Sequence, residues 1–488
     1  MDGQIRRLGF AMAVLFAVLF AQVNFLQVYA ASDIANNQAN FRLIIQEYKV
    51  DRGEIVARDL HTVLAKSVRT GGQLKFLRQY PAGPLYADVT GFYSLVYGRT
   101  RIEASENDFL AAHASELLPS TIEDEILNRP KRGATVVTTI DPNLQQTASQ
   151  ALAGRPGAAV ALDPRTGEIL AMVSNPSYDP SQLSTHDPRG IRAAYRSLNA
   201  DPSKPLLSNA SDQIYPPGST FKLIDTAAAL ENGYTPSSTL PNPSTLTLPQ
   251  TDKVFHNFAD STCPGGSTIT LALALTVSCD ITFAELGLKL GANTLYDQAR
   301  KFGFDTAVPF DFPWASGRFP SPSYFQDRLP FLAYSAVGQA DVAANPLQMA
   351  LVASAIANGG VEMQPQLVEQ VRAPGGAVIR SLKPNAWGQP ISGKTAATMT
   401  QMMESVVQSG TGTPAQIPGV QVAAKTGTAE TPSGLPHCWF VAFAPAGNPK
   451  IAVAVLLLNG GGAGAGATGG TVAGPVAKTI MQAALGAG

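Results

Sequence analysis

The sequence predicts an α+β fold in which strands from both ends of a large C-terminal domain form one antiparallel sheet. Two short apolar strands are expected at the start of this domain, at residues 158–162 and 168–173. Three more are expected near the end of the chain, at 420–425, 438–444 and 451–459, with helical segments between the two groups. This order is typical of an antiparallel sheet with helices packed against it. We therefore expect a five-stranded antiparallel sheet flanked by helices, with a smaller domain before it.

Composition indicates a folded chain and excludes several classes of protein. The 488 residues are 45% hydrophobic and only 15% charged, so a sizeable core can form. Lys and Arg number 35 against 36 for Asp and Glu, and this balance gives no indication of nucleic-acid binding. The three Cys are too few for a disulfide-rich scaffold, and the five scattered His show no metal-ligand spacing. We expect no metal, no cofactor and no nucleic-acid partner.

The N-terminus predicts a membrane anchor. Residues 8–32 carry no charge, and their 25 positions are enough for a helix to cross the roughly 30 Å hydrocarbon core. Two arginines precede this segment, so the positive-inside rule leaves residues 1–7 in the cytoplasm and exports the rest. A cleavable signal peptide is the alternative, because Ala30 and Ala31 are small residues of the kind found at cleavage sites. In both interpretations the rest of the chain lies outside the cytoplasm.

Residues 33–157 predict a small domain that carries no candidate nucleophile in a motif. We expect a strand–turn–strand over 47–59, with an Arg-Gly turn in its middle. Residues 135–140 are β-branched throughout and predict a strand. A proline opens the helix expected at 143–152. The Gly- and Pro-containing segment 154–157 is expected to link the two domains.

The large domain, residues 158–488, is expected to be mainly helical between its two groups of strands. A long helical region is predicted from about 219 to 303. The Gly-rich run at 460–470 lacks the Gly-Lys-Ser/Thr ending of a phosphate-binding loop, and we expect it to be flexible. Further helices are predicted at 346–358, 396–409 and 475–485.

The first motif with chemical meaning is Ser-Thr-Phe-Lys at residues 219–222. Prolines and a glycine precede Ser219, which places it at a helix N-terminus, where unpaired N–H groups and the positive end of the helix dipole lie. Lys222 follows three residues later on the same helical face. A neutral Lys222 can accept the proton of the Ser219 hydroxyl, which makes a Ser–Lys nucleophile pair. Taken alone, the pattern is much more typical of an N-cap serine followed by an exposed lysine, because it is common by chance.

The second motif in our argument is Lys-Thr-Gly-Thr at residues 425–428, at or within a strand. Thr426 and Thr428 are two residues apart and point to the same side, so they can hydrogen-bond a substrate carboxylate. Gly427 lets a substrate approach the backbone. The alternative is an edge strand that carries a lysine for solubility.

The third motif, Ser-Cys-Asp at residues 278–280, lies in an otherwise apolar region from 271 to 290. A serine in such a region can simply bond a local backbone carbonyl. The three motifs together are more informative. Ser-x-x-Lys, Ser-x-Asn/Asp and Lys-Thr-Gly, in that order, form the signature of penicillin-binding proteins and serine β-lactamases. The motifs start at 219, 278 and 425, and these separations suit a domain with helices between its sheet halves.

The sequence resembles the class B penicillin-binding proteins over nearly its full length, and more narrowly the penicillin-binding protein A type of actinobacteria. This family has an anchor, a non-catalytic pedestal domain and a transpeptidase domain. The resemblance therefore implies a cytoplasmic tail (1–7), an anchor (8–32), a pedestal or dimerisation-type domain (33–157) and a transpeptidase domain (158–488). The stretches that carry it are 52–59, 139–145, 161–169, 175–180, 215–222, 337–339 and 425–430.

The resemblance also implies a reaction. Ser219 would be acylated by the penultimate D-Ala of a peptidoglycan stem peptide that ends in D-Ala-D-Ala, with Lys222 as general base. Ser278 would relay a proton to the leaving D-Ala, and Lys425 would tune the electrostatics of the site. An amine of a neighbouring stem peptide would then resolve the acyl-enzyme into a 4→3 cross-link. β-Lactams would acylate the same serine and be released slowly.

Substrate binding is implied for the remaining motif residues. Thr426 and Thr428 would hold the terminal carboxylate, and the N–H groups of Ser219 and Thr428 would form the oxyanion hole. Asp280 departs from the family pattern, which usually has Asn at this position. An ionised Asp offers only acceptors, and its pairing with a motif lysine would favour the charged lysine.

The cysteines allow three interpretations. In an oxidising compartment, Cys263 and Cys279 can close a loop of about 16 residues that bears Ser278, which would stabilise the fold by roughly 3 kcal/mol. Cys279 and Cys438 are the competing pair, because both flank the expected site. Three free, buried thiols are the third possibility. We favour the Cys263–Cys279 bond.

A peptidoglycan D,D-transpeptidase is the function that the motifs favour. The alternatives are a D,D-carboxypeptidase with water as the acceptor, a β-lactamase, and a membrane-tethered division scaffold whose site has decayed. No residue in the sequence is an evident base for deacylating water, which argues against the β-lactamase. The expected partners are stem peptides, β-lactams and the membrane. By resemblance, a lipid-II polymerase and other division proteins are further expected partners.

Overall fold

The apolar N-terminal helix is the first element of the computed structural model, which describes residues 2–28, 45–258 and 261–486. Helix α1 (Asp2–Val28) contains a span of 24 residues, Gly3–Leu26, with a mean hydropathy of 2.0. None of this span is buried by the rest of the protein, and it is long enough to cross a membrane. The end of the predicted anchor, from 29 to 32, lies outside the described residues.

Side-chain caps explain where several of the longer helices begin. Asp141, Thr270, Asn345 and Ser392 each lie just before a helix and accept a hydrogen bond from a backbone N–H two or three residues later. The other α-helices are α2 (Ala87–Thr90), α3 (Arg101–Ser105), α4 (Asn107–Leu110), α5 (Leu118–Ile126), α6 (Pro142–Leu152), α7 (Pro188–Ala200), α8 (Lys222–Glu231), α9 (Leu271–Val277), α10 (Asp280–Lys301), α11 (Leu329–Ala336), α12 (Pro346–Ala357), α13 (Gly393–Ser409) and α14 (Gly474–Leu485).

The strands form two larger sheets and several short hairpins. They are β1 (Ile55–Val56), β2 (Val63–Arg69), β3 (Phe76–Gln79), β4 (Tyr93–Ser94), β5 (Gly98–Arg99), β6 (Thr135–Thr138), β7 (Gly157–Leu162), β8 (Ile169–Asn175), β9 (Thr239–Pro241), β10 (Leu246–Thr247), β11 (Val254–Phe255), β12 (Thr268–Thr270), β13 (Glu362–Met363), β14 (Val368–Arg372), β15 (Val378–Ser381), β16 (Ala386–Gly388), β17 (Ala423–Ala429), β18 (His437–Ala444) and β19 (Ile451–Leu457).

The central sheet has the strand order β17-β18-β19-β7-β8 and is antiparallel throughout. The predicted α+β class and the five-stranded sheet built from both ends of the domain are therefore confirmed. Strands β7 and β19 are buried along their whole length because helices cover both faces. Val160 packs in one core with α12, whereas its neighbours Ala159 and Ala161 pack in a second core with α6 and α14.

A second sheet joins the predicted pedestal to the large domain. Its order is β15-β14-β6-β1-β2-β3, and β14 and β15 come from residues 368–381. Strand β14 runs antiparallel to β6, with Val371 opposite Val136. The sequence predicted no strand in this segment. Both valines are fully buried, and they lie in the same apolar core as Val160 of the central sheet.

The predicted strand–turn–strand over 47–59 is wrong. Strand β1 pairs antiparallel with β2, and the turn between them lies after residue 56. Asp59 builds that turn, because its side chain accepts hydrogen bonds from the N–H groups two and three residues later.

Arg52 and Gly53, which were expected to form a turn, have other roles. Arg52 is buried and contacts Glu103 at 2.6 Å, and Arg78 contacts the same carboxylate at 2.6 Å. A Cβ on Gly53 would lie 1.9 Å from the Ala134 carbonyl oxygen. The glycine is therefore required by a close backbone contact rather than by a turn.

The predicted helical region from 219 to 303 is interrupted. Helices α8 and α10 occupy its ends, but strands β9 to β12 lie between them. The interruption starts near Asn232-Gly233, where Gly233 has a φ of +88° that ends the helix. This insertion covers one side of the site.

Candidate active site

Ser219 lies in a 3-10 turn, Gly218–Phe221, that leads directly into α8. The turn is held against two other parts of the fold. Gly218 has a φ of +53° and donates its N–H to the Gly338 carbonyl at 2.9 Å. A Cβ on Gly218 would lie 2.8 Å from the Thr428 carbonyl oxygen. The nucleophile turn therefore lies directly against strand β17.

Asp280 lies between Ser219 and Lys222. The Ser219 hydroxyl donates to Asp280 Oδ1 at 3.3 Å, and Lys222 Nζ donates to the same oxygen at 2.6 Å. Asp280 Oδ2 accepts from the Phe258 N–H at 3.0 Å. Among the described residues, no direct hydrogen bond joins Ser219 to Lys222, so the carboxylate links the two groups.

Ser278 connects the two lysines of the site. Lys425 Nζ donates to Ser278 Oγ at 2.7 Å. Lys222 Nζ donates to the Ser278 carbonyl at 2.8 Å and lies 3.4 Å from Ser278 Oγ. Ser278 has a φ of +63°, in the left-handed region, which costs a non-glycine residue of order 1–3 kcal/mol. This backbone conformation directs both the carbonyl and the hydroxyl of Ser278 at the lysines.

Burial determines the charge states of these groups. It lowers the pKa of Lys222, and the Asp280 carboxylate acts in the opposite direction. It lowers the pKa of Lys425 well below its usual range, and the charge of Lys222 adds to that shift. Burial alone would raise the pKa of Asp280, but the charge and hydrogen bond of Lys222 hold it below its usual value. A lysine with a lowered pKa is suited to act as a base.

The Lys-Thr-Gly-Thr segment forms most of β17, the edge strand of the central sheet. Thr426 Oγ1 and Thr411 Oγ1 share a hydrogen bond of 2.6 Å. Thr428 Oγ1 accepts from the Gly469 N–H at 3.3 Å. A Cβ on Gly427 would lie 2.7 Å from a carbonyl oxygen of the nucleophile loop. Both threonine hydroxyls are thus oriented by neighbours, and the glycine lets the loop approach the strand.

A disulfide includes the cysteine of the Ser-Cys-Asp motif. Cys263 and Cys279 are bonded, with their Cα atoms 5.9 Å apart, and Cys438 is a free, buried thiol. The Cys263–Cys279 bond is the pairing that the loop length and the oxidising compartment favoured. Asn257 Oδ1 accepts the Ile281 N–H at 2.9 Å and so caps the start of α10. The bond and the cap together hold the segment that carries Ser278 and Asp280.

The predicted site residues line or adjoin one cleft of about 850 Å³. The sequence did not indicate three contributors to the site: Asn257, Thr411 and the Gly469-Gly470 pair. The Gly-rich run was expected to be flexible, but this part of it is buried. A Cβ on Gly469 would lie 2.1 Å from the Trp439 carbonyl oxygen, and one on Gly470 would lie 2.2 Å from that of Thr411. Consecutive glycines can indicate such close packing as well as flexibility.

The site combines an antiparallel sheet, a Ser-x-x-Lys helix in front of it and a Lys-Thr-Gly strand at its edge. This combination defines the class of serine enzymes that react with penicillin. No group of His, Cys, Asp and Glu that could hold a metal ion occurs in the described ranges. The penicillin binding protein transpeptidase domain family matches residues 157–482, and the penicillin binding protein A dimerisation domain matches residues 52–136. The chain belongs to the penicillin-binding protein transpeptidase family.

Relatives are similar over the whole chain. A peptidoglycan D,D-transpeptidase PbpA of Mycolicibacterium smegmatis is 41% identical over 497 residues, which is 99% of each chain. The structure of penicillin-binding protein A from M. tuberculosis as a ceftriaxone acyl-enzyme complex has a TM-score of 0.85 and 39% identity. That likeness covers 90% of this chain and 100% of the other. The penicillin G acyl-enzyme complex of the same protein has a TM-score of 0.83 and 40% identity, and it covers 89% of this chain and all of the other.

Proposed function

We propose that the protein is a peptidoglycan D,D-transpeptidase that acts through an acyl-enzyme on Ser219. The observation that supports this most strongly is the convergence of Ser219, Lys222, Ser278 and Lys425 on one cleft. Relatives that match nearly the full chain carry this activity in their names. The acyl-enzyme complexes of a structural relative show that this fold accepts β-lactams.

Acylation begins when Ser219 Oγ attacks the carbonyl carbon of the penultimate D-Ala. Neutral Lys222 receives the proton, and Asp280 Oδ1, which contacts both groups, holds them in line. The N–H groups of Ser219 and Thr428 stabilise the developing oxyanion, since the nucleophile turn lies against β17 at this point. The carbon–nitrogen bond then breaks. Ser278 donates its proton to the leaving D-Ala amine and regains one from Lys222, which becomes neutral again.

Deacylation uses an amine as the acceptor. The amine of a second stem peptide attacks the acyl carbon and gives its proton to Lys222. The bond from the acyl carbon to Ser219 Oγ then breaks, Lys222 returns the proton to Ser219, and the new 4→3 amide bond remains. Water in the same position would give a D,D-carboxypeptidase. The Thr426 and Thr428 hydroxyls, oriented by Thr411 and Gly469, hold the terminal carboxylate of the donor.

Product analysis with and without an acceptor tests this function. The full chain, purified in detergent, is incubated with a D-Ala-D-Ala peptide thioester donor and a labelled D-amino acid. We expect the acceptor to be joined to the donor and to suppress hydrolysis, and we expect Ser219→Ala to form neither product. Hydrolysis that the acceptor does not reduce would instead establish a carboxypeptidase. An exposed-serine control, Ser237→Ala, should behave as wild type.

We also propose that α1 anchors the protein with residues 1–7 in the cytoplasm and the site outside. The apolar span of α1 and the two arginines at its start support this orientation. A polymerase of lipid-linked peptidoglycan precursors is a fitting membrane partner, because cross-linking requires new glycan strands. A role in cell division follows from the resemblance to class B penicillin-binding proteins. Protease treatment of intact cells that lack an outer barrier should remove the large domain, and its protection would contradict this topology.

A further inference from the structure

The edge of strand β17 that faces the cleft is open. In the central sheet β17 pairs on one side only, with β18. Thr426, Thr428 and Glu430 line the cleft, whereas the odd-numbered residues between them do not. This alternation is the two-residue period of a strand, and Glu430 continues it just past the strand end. An extended peptide can therefore add to this edge with its side chains beside these three residues.

Among the described residues that line the cleft, Glu430 is a charged side chain without a partner. The two lysines are fully buried and engaged in hydrogen bonds, and Asp280 is paired with Lys222. Glu430 is exposed, and among the described residues its carboxylate has no ion pair or hydrogen bond. An unpaired carboxylate at the rim of a peptide cleft attracts a cation on the peptide.

The proposed reaction fixes the direction in which the donor lies. Its terminal carboxylate lies at Thr426 and Thr428, and its scissile carbonyl lies between Ser219 and the Thr428 N–H. The rest of the donor then extends toward Glu430, antiparallel to β17. The residue that precedes D-Ala-D-Ala is one residue beyond the D-Ala at Thr428, and Glu430 lies two residues, about 6–7 Å, beyond Thr428 along the extended chain. A long side chain on that donor residue therefore reaches the Glu430 carboxylate.

We propose that Glu430 selects donor stem peptides whose residue before D-Ala-D-Ala carries a positively charged amine. This inference rests on the proposed function, because the reaction sets the direction of the donor. Glu430 acts as a specificity residue and takes no part in bond making. Exposed ion pairs are weak, so the expected preference is about three- to fivefold at low salt and smaller at high salt.

Two matched donors test the inference in the detergent-purified full chain. One is Nα-acetyl-Lys-D-Ala-D-Ala, and the other carries a second acetyl group that removes the amine charge. We expect wild type to release D-Ala faster from the first, with a ratio of kcat/KM of about three to five. Glu430→Gln should bring the ratio to about one, and Glu430→Lys should reverse it. Glu125→Gln, at an exposed site in the pedestal, should leave the wild-type ratio.

A pair of penicillins gives a second measurement that needs no peptide turnover. Ampicillin and benzylpenicillin differ by one ammonium group on the acyl side chain. In the site this side chain takes the place of the donor residue that precedes D-Ala-D-Ala. Glu430→Lys should slow acylation by ampicillin and leave that by benzylpenicillin within about twofold. Equal ratios in wild type, Glu430→Gln and Glu430→Lys would overturn the inference. Absence of penicillin acylation in wild type would instead overturn the proposed function.

Discussion

Asp280 is the single residue that most changes the chemistry of this site. An asparagine there would offer an amide donor, whereas the carboxylate accepts from Ser219, Lys222 and the Phe258 N–H. Both of its oxygens are thus occupied by protein groups, which favours a role within the catalytic cluster over contact with substrate. Its charge also opposes the effect of burial on Lys222, so the lysine is less easily deprotonated than burial alone would make it.

Replacement of Asp280 by Asn should move the pH dependence of acylation. The carboxylate raises the pKa of Lys222, so its removal lowers that pKa further and makes the lysine neutral at lower pH. We expect the rising limb of the rate of penicillin acylation to shift to lower pH in Asp280→Asn. Stopped-flow rates between pH 5 and pH 10 measure this. Exposed Asp252→Asn is the control, and a shift to higher pH would contradict the account.

At the residue scale, the sequence predicted which residues form the site but not the hydrogen bonds that join them. The order and spacing of the three motifs were sufficient to select Ser219, Lys222, Ser278 and Lys425. Ser219 and Lys222 both donate to one oxygen of Asp280. This arrangement depends on the left-handed backbone at Ser278, and no sequence pattern indicated that conformation. Thr411 was missed because its contact with Thr426 joins two separate elements.

At the scale of elements, close backbone contacts hold the catalytic segments together. The nucleophile turn is held between β17 and the turn at Gly338. A Cβ on Gly338 would lie 2.0 Å from the Gly218 carbonyl oxygen, a distance that real Cβ atoms do not adopt. The position of Ser219 therefore depends on a glycine more than a hundred residues away in the chain.

Gly338→Ala should displace the nucleophile turn. Gly359→Ala is the matched control, since both glycines have positive φ values, +73° and +64°, but nothing lies within 4 Å of a Cβ at Gly359. An alanine at a positive φ costs about 1–2 kcal/mol of stability, and this cost is common to both variants. We expect penicillin acylation to fall at least tenfold in Gly338→Ala only. Equal rates in the two variants would show that this contact does not position Ser219.

The disulfide should act on the segment that carries the Ser-Cys-Asp motif. Cys263→Ser removes the bond to Cys279 and frees a loop of about 16 residues, which costs roughly 3 kcal/mol of stability. We expect a lower melting temperature and slower penicillin acylation. Reductant should have the same effect on wild type and no further effect on the variant. Wild-type rates and melting in Cys263→Ser would contradict a positioning role for the bond.

The sequence predicted strands and helices well where a local residue pattern determines them. It predicted them poorly where a contact with a distant part of the chain determines the conformation. The strands of the central sheet followed from their apolar runs, but β17 begins three residues later and ends four residues later than predicted. The Arg52-Gly53 turn was wrong because Arg52 is buried against Glu103, and Gly53 lies against a backbone carbonyl. The same holds for Gly469 and Gly470, which looked flexible but pack tightly against the backbone of Trp439 and Thr411.

At the scale of the whole molecule, the pedestal and the transpeptidase domain share a sheet. Strand β14 completes the pedestal sheet by pairing with β6, and Arg380 of β15 contacts Glu106 at 2.6 Å. This arrangement could not be predicted, because the paired strands are more than 200 residues apart and β14 lacks a strong alternating pattern. The domain boundary expected near residue 157 is therefore crossed by later strands.

Removal of the pedestal should destabilise the transpeptidase domain. A fragment of residues 157–488 would leave β14 unpaired along its β6 side and expose buried Val371. We expect it to melt at a lower temperature than residues 45–488, in a scanning calorimeter under identical conditions. Equal melting temperatures would show that the two parts are independent in stability.

The central claim is that Ser219 is the nucleophile of a working Ser–Lys site in which Asp280 is tolerated. Incubation of the protein with a fluorescent penicillin, followed by intact mass and peptide mapping, tests it most directly. The account predicts a stable adduct on Ser219 that is absent from Ser219→Ala, while a folded Ser237→Ala control is labelled as wild type. No adduct in folded wild type, or an adduct on another residue, would contradict the account and favour a scaffold whose site has decayed.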